Sequence, residues 1–107
     1  MSRPAYSGYT DQILRMYCRA MERGGIVVRE DLTPVARLNY DACVMVLDST
    51  PRWVRDAVQQ IYTDRQNKTF GLALSTYLEA HPNEREALPY ELRTLAKRLA
   101  KARWLVD

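Results

Sequence analysis

Thirteen of the sixteen cationic side chains are arginine, and several of the sixteen fall into two regular rows. Arg15, Arg19 and Arg23 recur every four residues, and Arg93, Lys97 and Lys101 do the same near the other end, with Arg98 beside that second row and Arg103 further round. On a helix this interval stacks side chains along one line of the surface. Arginine's planar, permanently charged fork suits phosphates and carboxylates, so each row has the makings of a ridge contacting the backbone of a nucleic-acid duplex. A GC-rich coding sequence also enriches arginine with no functional cause. The placement of the rows therefore carries more weight than their total.

Catalytic chemistry has few candidates. The single histidine, His81, precedes a proline in a predicted helix-ending turn, and no serine sits in a nucleophile-elbow context, so a Ser-His-Asp arrangement has little support. A Cys-His pair would need Cys18 or Cys43 beside His81, yet both cysteines belong to apolar helix faces that suggest inert burial. Two separated cysteines and one histidine offer none of the close spacings that build zinc centres. Gly24-Gly25 is followed by hydrophobic residues and not by the Lys-Ser or Lys-Thr of a phosphate loop. The carboxylate pairs Glu30-Asp31 and Glu84 with Glu86 lie in polar connections, where nothing predicts the burial that acid catalysis requires. The expectation is a protein without catalytic residues, metal or cofactor.

Helices must position these rows, because strand signals are nearly absent; Ile26-Val27-Val28 is the one candidate and is too short to make a sheet unaided. A first helix is predicted from about Asp11 to Arg23, capped by Thr10 and ended by Gly24-Gly25, with Ile13, Leu14, Tyr17, Cys18 and Met21 on its buried side. Thr33-Pro34 opens a second, central helix reaching about Leu47, with Val35, Leu38, Ala42 and Met45 on one face and Cys43, Val44, Val46 and Leu47 making its last turns apolar all round. Asp48-Ser49-Thr50-Pro51 repeats the cap-plus-proline signal and starts a third, whose Val54, Ala57, Val58, Ile61 and Tyr62 follow the helical period. Thr69 caps a fourth, carrying Phe70, Ala73, Leu74, Tyr77 and Leu78 and closed by His81-Pro82. After Leu88-Pro89 the last helix spans about Tyr90 to Leu105, burying Leu92, Leu95, Ala96, Leu99 and Ala102 on the way to Val106.

The 107 residues thus predict an all-α, compact, single-domain bundle of about five helices, with residues 1–9 as an N-terminal tail. No apolar run approaches the ~20 residues needed to cross a bilayer, and Met1 to Tyr6 lacks the apolar stretch of a secretory signal, so a cytoplasmic protein with no membrane partner is expected. The two cysteines are expected as buried free thiols. The formal net charge of +3 divides along the chain into +3 for residues 1–29, −3 for residues 30–88 and +3 for residues 89–107.

The third helix, with Arg52, Asp56, Ile61 and Tyr62, followed by Leu72-Ala73 and then by Arg98-Leu99-Ala100-Lys101-Ala102, resembles the helical DNA-binding half of small phage late-gene antiterminators of the Q type and related sigma-region-4-type phage regulators. The likeness covers about half of the chain. It implies a helix-turn-helix whose last helix, rich in Arg and Lys, enters the major groove. The sequence departs from that pattern between its fourth and fifth helices, where about nine residues stand in place of a turn of ~3 to 4.

Together these features predict a small non-enzymatic regulator, phage- or mobile-element-encoded, that binds nucleic acid or a nucleoprotein complex through Arg15, Arg19, Arg23, Arg93, Lys97, Arg98, Lys101 and Arg103. The alternative is a protein-interaction module, an inhibitor or adaptor of a host protein, using Arg with Trp53, Trp104, Tyr6 and Tyr9. Against both stands the plainer reading in which each row pairs with the acidic middle segment or keeps an amphipathic helix hydrated. Oligomeric state is open.

Overall fold

A computed structural model of the chain describes residues 7–103. Among them are six α-helices and one 3-10 turn, with no strand: α1 (Ser7–Glu22), α2 (Ile26–Arg29), α3 (Pro34–Asp48), α4 (Arg52–Tyr62), α5 (Phe70–Ala80), the 3-10 turn Pro82–Glu84, and α6 (Ala87–Ala102). Helices α1, α3, α4 and α6 carry the main packing: α1 touches the other three, α6 packs on α3 and α4, and α5 leans on α4. The all-α single-domain bundle is what the helical periods dictate, and its Cα radius of gyration of 13.5 Å is that of a compact domain of this length.

α4 has the clearest amphipathic pattern, and all five of its predicted core residues, Val54, Ala57, Val58, Ile61 and Tyr62, are buried. Around them close Ile13, Leu14 and Cys18 of α1, Cys43, Val46 and Leu47 of α3, and Leu88, Leu95 and Leu99 of α6. Polar bonds fix the register of α1 on α4. Gln59 Nε2 donates to the Cys18 carbonyl at 2.7 Å, Tyr62 Oη donates to Asp11 Oδ1 at 2.7 Å, and Arg65 pairs with Glu22 at 3.1 Å.

Helix ends follow the local chemistry with two exceptions. The Thr33 hydroxyl accepts from the Ala36 amide at 3.2 Å, and that of Thr69 from the Leu72 amide at 3.1 Å, as caps should. α1 closes on Gly24-Gly25: the Gly25 amide donates to the Ala20 carbonyl at 2.9 Å and the Gly24 amide to that of Met21 at 3.4 Å, the paired bonds of a Schellman motif. Both glycines have positive φ, 120° and 65°, which is why this turn needs residues without a Cβ. Thr10, however, does not cap. α1 begins at Ser7, so residues 7–9 belong to a helix and not to a tail, and Thr10 is fully buried in line with Ile13, Leu14 and Tyr17. Nor does Thr50 cap α4; its hydroxyl donates back to the Val46 carbonyl at 2.9 Å, tying off α3, and Pro51 takes the cap position.

One segment left without an element gains one, and two further expectations are corrected. Ile26-Val27-Val28 is a helical turn, since the left-handed glycines before it reverse the chain where no strand is available to pair; Arg29 then anchors the turn to α3 through two 2.8 Å bonds to Asp41. On α3 the buried face is Asn39, Tyr40, Ala42, Cys43, Val46 and Leu47, while Val35, Leu38 and Met45 look outward. α6 starts at Ala87 and not at Tyr90, because Pro89 lies in the first turn, where its missing N–H forfeits no helical bond; this brings Leu88 fully into the core. Met21 is also more exposed than its place in the apolar stripe predicts. Trp104, Val106 and Tyr6 lie outside the described residues.

Leu99 is fully buried at the centre and Leu72 is exposed on α5. Leu99→Ala is expected to lower unfolding stability by about 2–5 kcal/mol, and Leu72→Ala to stay within about 0.5 kcal/mol, both read from urea midpoints at equal slope.

Candidate nucleic-acid interface

The basic rows ride on helices that the core has already oriented. On α1 the apolar residues Ile13, Leu14 and Cys18 take the inner side, which turns Arg19 outward and leaves Arg15 half-buried; Arg23 is the exposed residue where α1 gives way to its glycine turn. A cation there also faces the partial negative charge of the helix C-terminus. On α6 the burial of Leu95, Leu99 and Ala100 sends Arg93, Lys97 and Lys101 to the surface. α1 and α6 pack against each other, so the two helices that carry the rows are neighbours.

The predicted cations separate into two groups. Arg98 and Arg103 are half-buried and turn toward α3, where a terminal nitrogen of Arg98 donates to Ser49 Oγ and Arg103 Nε donates to Asn39 Oδ1 at 2.6 Å. They tie the last helix to the third. Arg15, Arg19, Arg23, Arg93, Lys97 and Lys101 have no hydrogen bond or ion pair among the described residues. The acidic middle segment instead draws on other arginines: Arg29 holds Asp41 and approaches Glu30 at 3.4 Å. The Asp41 carboxyl is held below its ordinary range by the hydrogen bonds from Arg29. Asp64, whose side chain accepts from Asn67 Nδ2 and from the backbone amides of Gln66 and Asn67, is also held low.

Other candidate groups take structural roles. His81 ends α5, stacks on Tyr77 with ring centroids 4.0 Å apart, and lies with Nδ1 2.9 Å from the Tyr77 carbonyl. Tyr77 in turn donates to Glu84 Oε1 at 2.9 Å, and burial followed by that carboxylate raises its pKa to about 12. Both cysteines are buried free thiols. Trp53 and Tyr9 are partly exposed and Tyr90 more so.

Sequence reasoning did not single out an open cleft of about 680 Å³ between α1, α3 and α4. Its walls include Tyr17, Met21, Val44, Arg52, Arg55 and Gln59. Arg52 and Arg55 belong to one exposed edge of α4, three residues apart, a spacing that was present in the sequence but lacks the longer repeat of the two rows. Burial pushes the Tyr17 hydroxyl up to about 12, with Tyr40 adding to the rise and Arg55 opposing it. Charge of both signs lines the cleft, with Asp48, Asp56 and Glu22 beside the two arginines, so it carries no anion-selective field of its own.

The buried thiols make an alkaline prediction. Burial raises the Cys18 thiol from 9.0 to about 12, with Glu22 contributing, and raises Cys43 as well, with Cys18 contributing. The unfolded chain releases these protons near 9.0 while the folded chain keeps them, so the stability is fully present below that pH and is lost as pH rises toward about 12. Urea midpoints are expected to fall above pH 9, and a thiol reagent at pH 8 should find neither cysteine until the chain unfolds.

No protein-family model matches the chain, and neither a curated protein nor a solved structure matches it.

Proposed function

We propose that the chain is a small regulatory domain that binds nucleic acid, by contact with a duplex backbone, through α1 and α6. The observation that carries this reading is the state of the six outer cations: Arg15, Arg19, Arg23, Arg93, Lys97 and Lys101 sit on two helices in mutual contact and are engaged by no carboxylate among the described residues. Had the rows served to neutralise the acidic middle segment, ion pairs to Asp41 or Glu30 would involve them; those pairs are made by Arg29. Unpaired cations on a surface keep their counterion demand, which a polyanion satisfies with release of salt. The described residues include no aromatic and basic alternation of the kind that stacks single strands, which favours backbone contact with a duplex.

A second reading, a module that docks on a host protein, draws on the exposure of Trp53 beside Arg52 and of Tyr90 near Arg93. Aromatic and arginine neighbours of this kind anchor protein interfaces. A saturable protein ligand lost on Trp53→Ala or Tyr90→Ala, with the basic rows untouched, would favour it.

The nucleic-acid reading predicts steep salt dependence. Titrating the protein into a labelled random duplex at about 50 and about 200 mM salt should give a log-log slope approaching −5 if all six cations meet phosphates. Replacing Arg93, Lys97 and Lys101 together with Ala should flatten the slope by about 3 while leaving the helical circular dichroism intact. Absence of binding at the lower salt would overturn the proposal.

A further inference from the structure

The two most exposed large apolar side chains among the described residues are sequence neighbours, Ile26 at 67% and Val27 at 70%. They sit on α2, directly after the glycine turn that ends α1. The turn that presents them is braced. The Gly25 amide is tied to the Ala20 carbonyl at 2.9 Å, Arg29 holds Asp41 by two bonds of 2.8 Å, and Arg37 Nη2 donates to the Glu30 carbonyl at 2.7 Å. Exposed apolar residues scattered singly are ordinary. Two side by side on a short turn that is fixed at both ends make a rigid apolar projection.

The charge beside the projection is positive. Between residues 19 and 29 the charged side chains are Arg19, Glu22, Arg23 and Arg29. Glu22 is taken by Arg65, and Arg29 by Asp41 and Glu30, which leaves Arg19 and Arg23 as the charges without an ion pair in this stretch. Arg23 stands three residues before Ile26, at the end of the α1 row, whereas Glu30 and Asp31 follow the opposite end of α2. Gly24, between Arg23 and Ile26, is exposed, and no atom lies within 4 Å of where its Cβ would stand, so another molecule's backbone can come close there. Size decides what can receive the pair. A stable protein interface asks for roughly 800 Å² from each partner, and a helix lying in a bilayer surface needs a long apolar face; two side chains supply neither. A wedge that parts two stacked base pairs needs only an apolar side chain or two, with cations beside it on the phosphates.

We propose that Ile26 and Val27 form such a wedge, entering a nucleic-acid duplex from the minor groove and kinking it, while Arg19 and Arg23 hold the adjoining phosphates. The inference rests on the duplex-binding reading above and adds to it a change in the shape of the ligand. Parting a base step costs stacking energy, which is offset when the bend brings more phosphate backbone onto the helices that carry the basic rows.

The test is energy transfer between dyes at the two ends of a short duplex, with the full chain added to saturation at low salt. Binding should shorten the end-to-end distance, as a kink of about 20–90° requires. Ile26→Ala combined with Val27→Ala should remove most of that change while leaving the salt slope of binding and the thermal unfolding of the free protein unaltered, because both side chains are exposed and uncharged. A central mismatch lowers the cost of parting the stack, so the native chain should bind a mismatched duplex at least about fivefold tighter than the matched one, and the double variant should bind the two alike. No binding at low salt would overturn the duplex reading and the wedge with it. Salt-dependent binding that leaves the duplex straight would overturn the wedge alone, as would a bend or a mismatch preference that survives in the double variant. Binding to vesicles of phosphatidylserine and phosphatidylcholine by the native chain and not by the double variant, with the duplex unbent, would assign the turn to a lipid surface and overturn the proposal.

Discussion

Four helices converge on one small dry centre, and the close approach of their backbones there constrains everything outside it. Ala57 and Val58 of α4, Cys18 of α1, Cys43 of α3 and Leu99 of α6 are all at or near zero exposure. Small side chains at such crossings let helices come close, and a close-packed interior tolerates little change of volume. The cysteines act here as compact hydrophobes. Each would lose that role as a thiolate, and the Cys18 charge would also oppose ionisation of Cys43. The Gln59 amide bonded to the Cys18 carbonyl adds direction to this nonpolar contact, for it fixes how far α4 slides along α1.

From that fixed centre the surface chemistry follows. Once Ile13, Leu14 and Cys18 point inward, Arg19 must point outward; once Leu95 and Leu99 point inward, so must Arg93 and Lys97. The arginines then divide according to what their helices meet. Arg29, Arg65, Arg98 and Arg103 close gaps between elements through hydrogen bonds or ion pairs. The outer rows do no such work, and their charge is available to a ligand.

Where one apolar stripe stood against an otherwise polar helix, as on α4, the sequence was sufficient to name the buried residues. α3 differed because it is apolar on two sides. Period alone groups Val35, Leu38, Ala42 and Met45 on one side and Tyr40, Cys43 and Leu47 on another, but neighbours contributed by α1, α4 and α6 draw Ala42 into the core with the second group and leave Val35, Leu38 and Met45 outside. Thr10 and Thr50 show the same limit at helix ends. Each has the chemistry of a cap, yet Thr10 is drawn into the core by its register with Ile13 and Leu14, and Thr50 turns back to the Val46 carbonyl. Among the site residues, spacing located the rows, whereas the inward use of Arg98 and Arg103 required the position of α3, which no local pattern encodes.

α5 stands apart from this arrangement. It rests chiefly on α4, buries only Ala73 and Tyr77, and is held at its far end by the Tyr77, His81 and Glu84 group. Of the helices that reach the core it contributes the fewest fully buried side chains, and Phe70, Leu74 and Leu78, partly buried against that core, supply the rest of its hold. Strain introduced in α5 therefore passes first to α4, and to the helices that hold the basic rows chiefly through it.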